Sequence, residues 1–547
     1  MRKMRKGLVW LLVAVFVMSL AGCARTPAPT PQTPTTPQPP EGPRPGGRLV
    51  IGYAEEPNTL DSHKSGAAVM HAVMSYIGAA PLTMHPETQE FMDDMAERYE
   101  VSPDGLTFTF YFKEGIKFHS GKPFTAADLK ATYERALDPA TQTVTAHAML
   151  GPIDRIEAPD DRTLVIHLKT PFAPFMINMT SAGYLNPMDP TRLEAMGADY
   201  GRNPSSVGPY KFKSWITGMS IVLERNPDYK WAPSWYKNQG PAYFDEIEFK
   251  FIPEDATRMA ALEAGEIHIS SVALTEVDRF KNNPNFNVYS VMASGVNMSI
   301  WFNHEKEPMN DIRFRQAVSH AIDREAIIRA AIDGHGVPAY GPLPPTIWGY
   351  WDGVKDLQYK LDLARANALL DEMGYTQTNA AGFRMKDGKE LKVSLFIMPT
   401  DAWQRSSQLI QAQLKRIGIN VEIQSYEWGT LMQFLSEGRH DMNLMGYGYS
   451  DPDILYLTLH SSQAGRGLNW AFLKNPEIDA LIEASRVTLD PDARGKIVAD
   501  LQAAIVKEAP WVPIYTVISY TAVNKKIEGV FLNFRGTLML HDAWMRQ

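Results

Sequence analysis

Three consecutive stretches decide the fold: Leu391-Lys-Val-Ser-Leu-Phe-Ile-Met398, Trp403-Gln-Arg-Ser-Ser-Gln-Leu-Ile-Gln-Ala-Gln-Leu-Lys-Arg-Ile417, and Ile419-Asn-Val-Glu-Ile423. The first and third are short, apolar and β-branched, which predicts strands; the second carries the helical period and is closed by Gly418. A further helix over Leu431 to Ser436 leads to a strand over Asp441 to Tyr447. The resulting β-α-β-α-β rhythm favours right-handed parallel crossovers within a mixed sheet. Working toward the N-terminus, one helix is predicted from about Ile312 to Ile332. Its apolar face carries Ile312, Ala317, Val318, Ala321, Ile322, Ile327 and Ile328, and it stops near Gly334. Short strands are predicted over Gly47 to Tyr53, over Leu106 to Phe112 after the turn Ser102-Pro-Asp-Gly105, and over Thr163 to Leu168. Thr125 N-caps a helix, with Asp128 three residues on and Leu129, Tyr133, Ala136 and Leu137 as its apolar stripe. Two α/β lobes facing each other follow, and the gap between lobes is a usual place for a small-molecule site. No repeat at solenoid or propeller period is present.

At 547 residues the chain is too long for one hydrophobic core. Its 44% apolar and 21% charged residues are ordinary for a globular protein. A formal charge of −8 argues against a nucleic-acid partner, which would require a basic face.

The one cysteine, Cys23, stands at the end of a distinctive run. Arg2, Lys3, Arg5 and Lys6 precede an apolar stretch of roughly 14 residues, within the signal-peptide range and short for a membrane span. Leu20-Ala21-Gly22-Cys23 resembles the lipobox of bacterial lipoproteins. That resemblance implies cleavage after residue 22 and a lipid on the Cys23 thiol. Residues Thr26 to Gly46 are rich in proline and threonine, a composition that stays extended rather than burying a core. Twenty such residues reach roughly 60 Å at about 3 Å each. A tethered domain outside the cytoplasmic membrane is expected, held by the lipid and not by a spanning helix.

Several segments, spread from Gly47 to Gly529, are similar to the family 5 extracellular solute-binding proteins, the dipeptide, oligopeptide and nickel receptors of ABC importers. They are Gly52-Tyr-Ala-Glu-Glu-Pro-Asn-Thr-Leu-Asp61, Leu106-Thr-Phe-Thr-Phe-Tyr-Phe-Lys-Glu-Gly-Ile-Lys-Phe-His119 and Gly121-Lys-Pro-Phe-Thr-Ala-Ala-Asp128. Further on come Val207-Gly-Pro-Tyr-Lys-Phe212 with Trp215, Asn226-Pro-Asp-Tyr229, and Arg313-Phe-Arg-Gln-Ala-Val-Ser-His-Ala-Ile-Asp-Arg-Glu325. Asn475-Pro-Glu-Ile-Asp-Ala-Leu481 and Asn524-Lys-Lys-Ile-Glu-Gly529 complete the set. The resemblance implies an α/β, two-lobed periplasmic-binding-protein fold of the type II, Venus-flytrap kind, with an extra inserted subdomain in the first lobe. The implied organisation is a leader at 1–22, a lipidated Cys23 and linker at 23–46, and a lobe I core from 47–83, 206–290 and 512–547. The inserted subdomain takes 84–205 and lobe II takes 291–511. The implied function is capture of a small solute between the lobes and delivery to an ABC permease, by a monomer without cofactor, metal or catalytic residue.

In peptide receptors of this family a carboxylate three residues before the acidic-Pro pair of the second lobe holds the peptide's α-ammonium. Here the segment is Leu444-Met-Gly-Tyr-Gly-Tyr-Ser-Asp-Pro-Asp453, and alignment on Asp451-Pro452 puts Gly448 at the anchor. Met445 then takes the place of the preceding aromatic, unless a gap gives that role to Tyr447. Asp451 has two readings, a ligand contact or a residue that holds the turn. An oligopeptide is the expected solute, with an oligosaccharide, a metal chelate or an amine-free peptide-like compound as the alternatives. Trp428, Tyr447, Tyr449 and Trp470 are the candidate cleft aromatics, and Glu56, Asn297, Asn303 and Asn469 the candidate polar contacts.

Catalytic and metal-binding patterns offer little. The thirteen histidines include no His-Glu-x-x-His, no His-x-His and no i, i+4 pair; His63 and His71 are too isolated to suggest a site. Ser234-Trp-Tyr-Lys237 fits Ser-x-x-Lys, but the companion Lys-Thr-Gly is missing, since Pro171 follows Lys169-Thr170. A lipid-tethered hydrolase therefore has no nucleophile to stand on, and a sensory or chaperone-like protein on the same fold is the third reading.

Overall fold

The computed structural model describes residues 42–143, 145–533 and 536–546. The leader at 1–22, Cys23 and the Pro/Thr-rich run up to residue 41 lie outside the described residues. The deciding stretch folds as strand Lys392–Ile397, helix Asp401–Lys415, strand Asn420–Ser425, helix Trp428–Ser436 and strand Met442–Gly448. Lys392–Ile397 pairs in parallel with Asn420–Ser425 on one side and with Met442 and Asn443 on the other. Burial drives this arrangement. Val393, Leu395 and Ile397 lose nearly all exposure against Ile410 and Leu414 of the helix. Gly418 is glycine for two reasons: its φ is +80°, and a Cβ there would stand 2.6 Å from Arg384 Cγ.

These strands form one end of a twelve-stranded mixed sheet. From that end ten of the strands run 420–425, 392–397, 442–448, 295–302, 511–524, 269–271, 48–53, 246–251, 220–225 and 210–216, and the other two, 286–292 and 336–338, also pair with 511–524. Trp511–Asn524 is the strand that joins the two halves. Its Trp511 and Val512 pair with Trp301 and Ile300, whereas its Ile518 to Asn524 pair with Met292 back to Phe286. The other passage is the turn between Phe286–Met292 and Gly295–Phe302, where Ala293 N–H donates to Val517 C=O at 2.9 Å.

A separate antiparallel sheet of four strands is built from Ala96–Val101, Thr107–Phe112, Thr163–Leu168 and Ile153–Asp160. Alternation places Phe108, Phe110, Phe112, Leu164, Ile166 and Leu168 on its buried face. Helix Ala126–Leu137 covers it with Leu129, Tyr133 and Ala136, and the Asp128 carboxylate accepts the Thr125 N–H at 2.9 Å. This sheet lies within 84–205, the stretch that the family resemblance implies is an insertion.

One expectation is corrected. The helix predicted from Ile312 to Ile332 is two helices, Ile312–Ala321 and Arg324–Ala331. Asp323 breaks it by capping the second: its carboxylate accepts the Ala326 N–H at 2.9 Å. Gln413, distant in sequence, satisfies the exposed peptide at the break. Its Oε1 accepts the Asp323 N–H at 2.9 Å and its Nε2 donates to the Asp323 carbonyl at 3.2 Å.

Candidate ligand-binding site

The segment from Tyr447 to Asp453 leaves the sheet at the junction of its two halves. Strand Met442–Gly448 has neighbours on both sides only as far as Asn443; beyond it, the pairing is with Gly295–Phe302 alone. Gly295 faces Gly448 with φ +112°, and a Cβ on Gly295 would lie 2.0 Å from the Tyr447 carbonyl oxygen. Only glycine allows that approach.

Gly448 is the opposite case. It is exposed, and a Cβ built on it meets no atom within 4 Å. The half-buried rings of Tyr447 and Tyr449 flank it, and burial raises both phenol pKa values. From the other half of the molecule comes Tyr184. Its hydroxyl donates to the Gly66 carbonyl at 3.0 Å and its ring centroid lies 4.7 Å from that of His71. Burial and then the neighbouring Tyr447 push the Tyr184 phenol up.

The turn after Tyr449 is held by charge. Asp451 forms a buried bidentate pair with Arg494, Nη1 to Oδ2 at 2.9 Å and Nη2 to Oδ1 at 2.5 Å. The same Oδ1 accepts the Asp453 N–H at 2.9 Å, so Asp451 braces the turn with both oxygens. The Arg494 guanidinium also lies 4.9 Å from the ring of Trp348, which is 43% exposed. Asp453 is buried, with Arg486 Nε 2.7 Å away in a geometry too bent for a hydrogen bond. Burial raises its carboxyl pKa to about 6.

The remaining candidates are dispersed. Glu56 clamps a hairpin: Oε1 accepts Trp215 Nε1–H at 2.6 Å and Oε2 accepts the Gly218 N–H at 2.8 Å. Asn297 donates to Gly341 C=O at 2.9 Å and accepts from the Thr516 hydroxyl at 2.6 Å. Asn303 donates to the carbonyls of Gly438 and His440, at 3.2 and 3.0 Å. Asn469 donates to those of Leu459, His460 and Leu473, at 3.0–3.2 Å. Trp470 packs in the core against Trp301, centroids 5.9 Å apart, whereas Trp428 is 43% exposed at the start of its helix. The structure thus gathers Tyr447, Gly448, Tyr449 and Asp451 on one segment. It adds Tyr184 and Trp348, which the sequence did not single out, and His71, which the sequence offered only as an isolated histidine.

Ser234 is not paired with Lys237: its hydroxyl donates to Asp93. His63 is buried, accepts from Arg135 at 2.6 Å, and is shifted down in pKa by burial and then by that cation. Among the described residues no group of three His, Cys, Asp or Glu side chains is placed to hold a metal ion.

Residues 90–466 match the model of the bacterial extracellular solute-binding proteins, family 5 middle region. The oligopeptide-binding protein AppA of Bacillus subtilis is 29% identical over 524 residues, 92% of each chain. Its solved structure in complex with a nonapeptide superposes with a TM-score of 0.82, covering 92% of this chain and 100% of that one. The di/tripeptide-binding protein 4 of Pseudomonas aeruginosa is 30% identical over 518 residues, 89% of this chain and 92% of its own. The heme-binding protein A of Haemophilus influenzae is 29% identical over 467 residues, 80% of each.

Proposed function

We propose an oligopeptide as the solute, on the premise that the chain belongs to the family 5 bacterial extracellular solute-binding proteins and is the non-catalytic solute-binding receptor of an ABC importer. The observation that carries this is that strand Met442–Gly448 has no strand neighbour on one side beyond Asn443 and is not buried over Gly446, Tyr447 and Gly448. An extended peptide recognised by strand addition needs such an edge for its main-chain hydrogen bonds, and pockets beside it for alternate side chains. Tyr447, Tyr449 and Tyr184 supply large, rigid walls for those pockets. Gly448 brings no carboxylate to an α-ammonium, so the peptide is gripped by its main chain rather than by its N-terminus.

Lobe I is 47–83, 206–290 and 512–547, lobe II is 291–511, and 84–205 is the insertion; closure runs about the passages at Ala293 and Val517. The lobes close on the solute, and the closed form is what the permease receives. Cys23 carries the lipid that holds the receptor at the outer face of the cytoplasmic membrane, with 23–46 as its tether. A second reading, an oligosaccharide or ring-bearing chelate, draws on the same three tyrosines.

Thermal-shift screening of the leaderless protein against peptides, oligosaccharides and metal chelates tests the choice. A ligand at 100 times its Kd adds about 2.7 kcal/mol to native stability. Shifts confined to peptides support the proposal; shifts confined to sugars or chelates replace it.

A further inference from the structure

Five arginines are buried among the described residues: Arg258, Arg315, Arg324, Arg384 and Arg494. Four of them face a carboxylate, from Asp255, Glu508, Asp371 and Asp451 respectively. Arg324 is the exception. It is 8% exposed, and no described Asp or Glu lies within ion-pair distance of it. Its Nε donates to the carbonyls of Ala339 and Pro513 at 3.0 and 2.8 Å, and its Nη1 reaches the Tyr359 carbonyl at 3.4 Å. Among the described residues Nη2 has no hydrogen-bond partner. Burial lowers the guanidinium pKa to about 10, with only Tyr340 acting the other way. An arginine in that state is still charged at neutral pH.

Arg324 lines a small cavity, ≈ 20 Å³, together with Ser319, Tyr340, Tyr359, Trp511 and Pro513. A cavity of about 10–15 Å³ holds one water, so this one has room for a single water-sized or monatomic species. Carbonyl dipoles solvate the guanidinium on one side and leave its charge uncompensated. A buried charge without a counter-charge is costly, and its usual remedies are a paired carboxylate or a bound ion.

We infer that this cavity is a halide site: a chloride ion sits against Arg324 and supplies the counter-charge that the other four buried arginines receive from side chains. The site is separate from the solute segment and stands whatever the solute is. The ion braces the three backbone stretches that meet at the guanidinium, at Ala339, Tyr359 and Pro513. The first two bracket the loop that carries Trp348.

Crystals of the native protein soaked in sodium bromide give the direct test. The expected result is a bromide anomalous peak in the cavity, in contact with the Arg324 guanidinium. A bromide map without that peak, or with only water fitted there, overturns the assignment. In solution, exchanging gluconate for chloride at constant ionic strength is expected to raise the Tm of the native protein by about 1 °C or more. The Arg324→Gln protein is expected to lose that response. An equal response in native and variant protein contradicts the site; should the variant fail to fold, the bromide map decides alone.

Discussion

The backbone N–H of Ala173 donates to the carbonyl of Arg486 at 2.7 Å, joining the loop after strand Thr163–Leu168 to the last turn of helix Pro476–Val487. The contact is reinforced by side chains. The Arg486 guanidinium lies 3.7 Å from the Tyr456 ring and 5.0 Å from that of Phe172. Asp453 holds it from beneath. A little further on, Leu489 packs so tightly on Gly105 that a Cβ there would stand 2.0 Å from its Cδ1. The loops at 102–105 and 172–173 are therefore held by protein contacts to the chain around the end of helix Pro476–Val487.

Arg486→Ala removes the cation from between two rings and leaves Asp453 buried without its partner. Losing one partner of a buried pair costs about 3–5 kcal/mol. If the contact stabilises the closed form, solute affinity also falls, by about 5-fold or more. Urea unfolding and calorimetric titration measure the two effects. Unchanged affinity would show that closure does not depend on this contact.

Acid sensitivity follows from buried titrating groups, and the signs oppose. Burial holds His119, His304, His440 and His541 down at about 4, and His63 moves the same way. Between the ordinary histidine value of about 6.5 and about 4, the unfolded chain binds these protons and the folded one does not, so stability falls as pH falls. Asp453 and Asp94 act in reverse, because burial raises them to about 6 and about 7. The folded chain keeps their protons over the window from those values down to about 4, which adds stability on acidification. Five histidines outweigh two aspartates. The urea midpoint is expected to drop from pH 7 to pH 5; a midpoint that holds or rises would contradict this balance.

Gly448→Asp places a carboxylate where a Cβ enters open space. Stability is expected to change by no more than about 0.5 kcal/mol. Peptides with a free amine are expected to gain about tenfold in affinity over their N-acetylated forms, the size of one charged hydrogen bond. Equal affinities for the two forms would place the peptide N-terminus away from Gly448.

Gly295→Ala is the contrasting substitution. The residue has φ +112°, and its new methyl would meet the Tyr447 carbonyl oxygen, a backbone atom that cannot rotate away. A loss of about 2 kcal/mol or more is expected, with solute binding weakened because the Tyr447 to Tyr449 segment must shift. A variant of native stability and affinity would rule out this account of the junction.

Much of the fold was legible because burial leaves a period in the sequence. Phe108, Phe110 and Phe112 alternate, and the run from Leu391 to Tyr447 switches between periods where its strands and helices change. The break at Asp323 was not, since the amide that stabilises it belongs to Gln413, far along the chain. The candidate site was legible on one side only. Tyr447, Gly448 and Tyr449 stand together in sequence, whereas Tyr184 and His71 reach the junction through tertiary packing. Asn303 and Asn469 look alike in a sequence whether they face a solute or the backbone carbonyls that occupy them here.

Native mass spectrometry of the leaderless protein, incubated with a defined mixture of oligopeptides, oligosaccharides and metal chelates, tests the central claim most directly. The account predicts a complex with one oligopeptide per chain, the peptide's mass unchanged after prolonged incubation. A chain that binds only sugar or chelate, or that releases cleaved peptide, would contradict it.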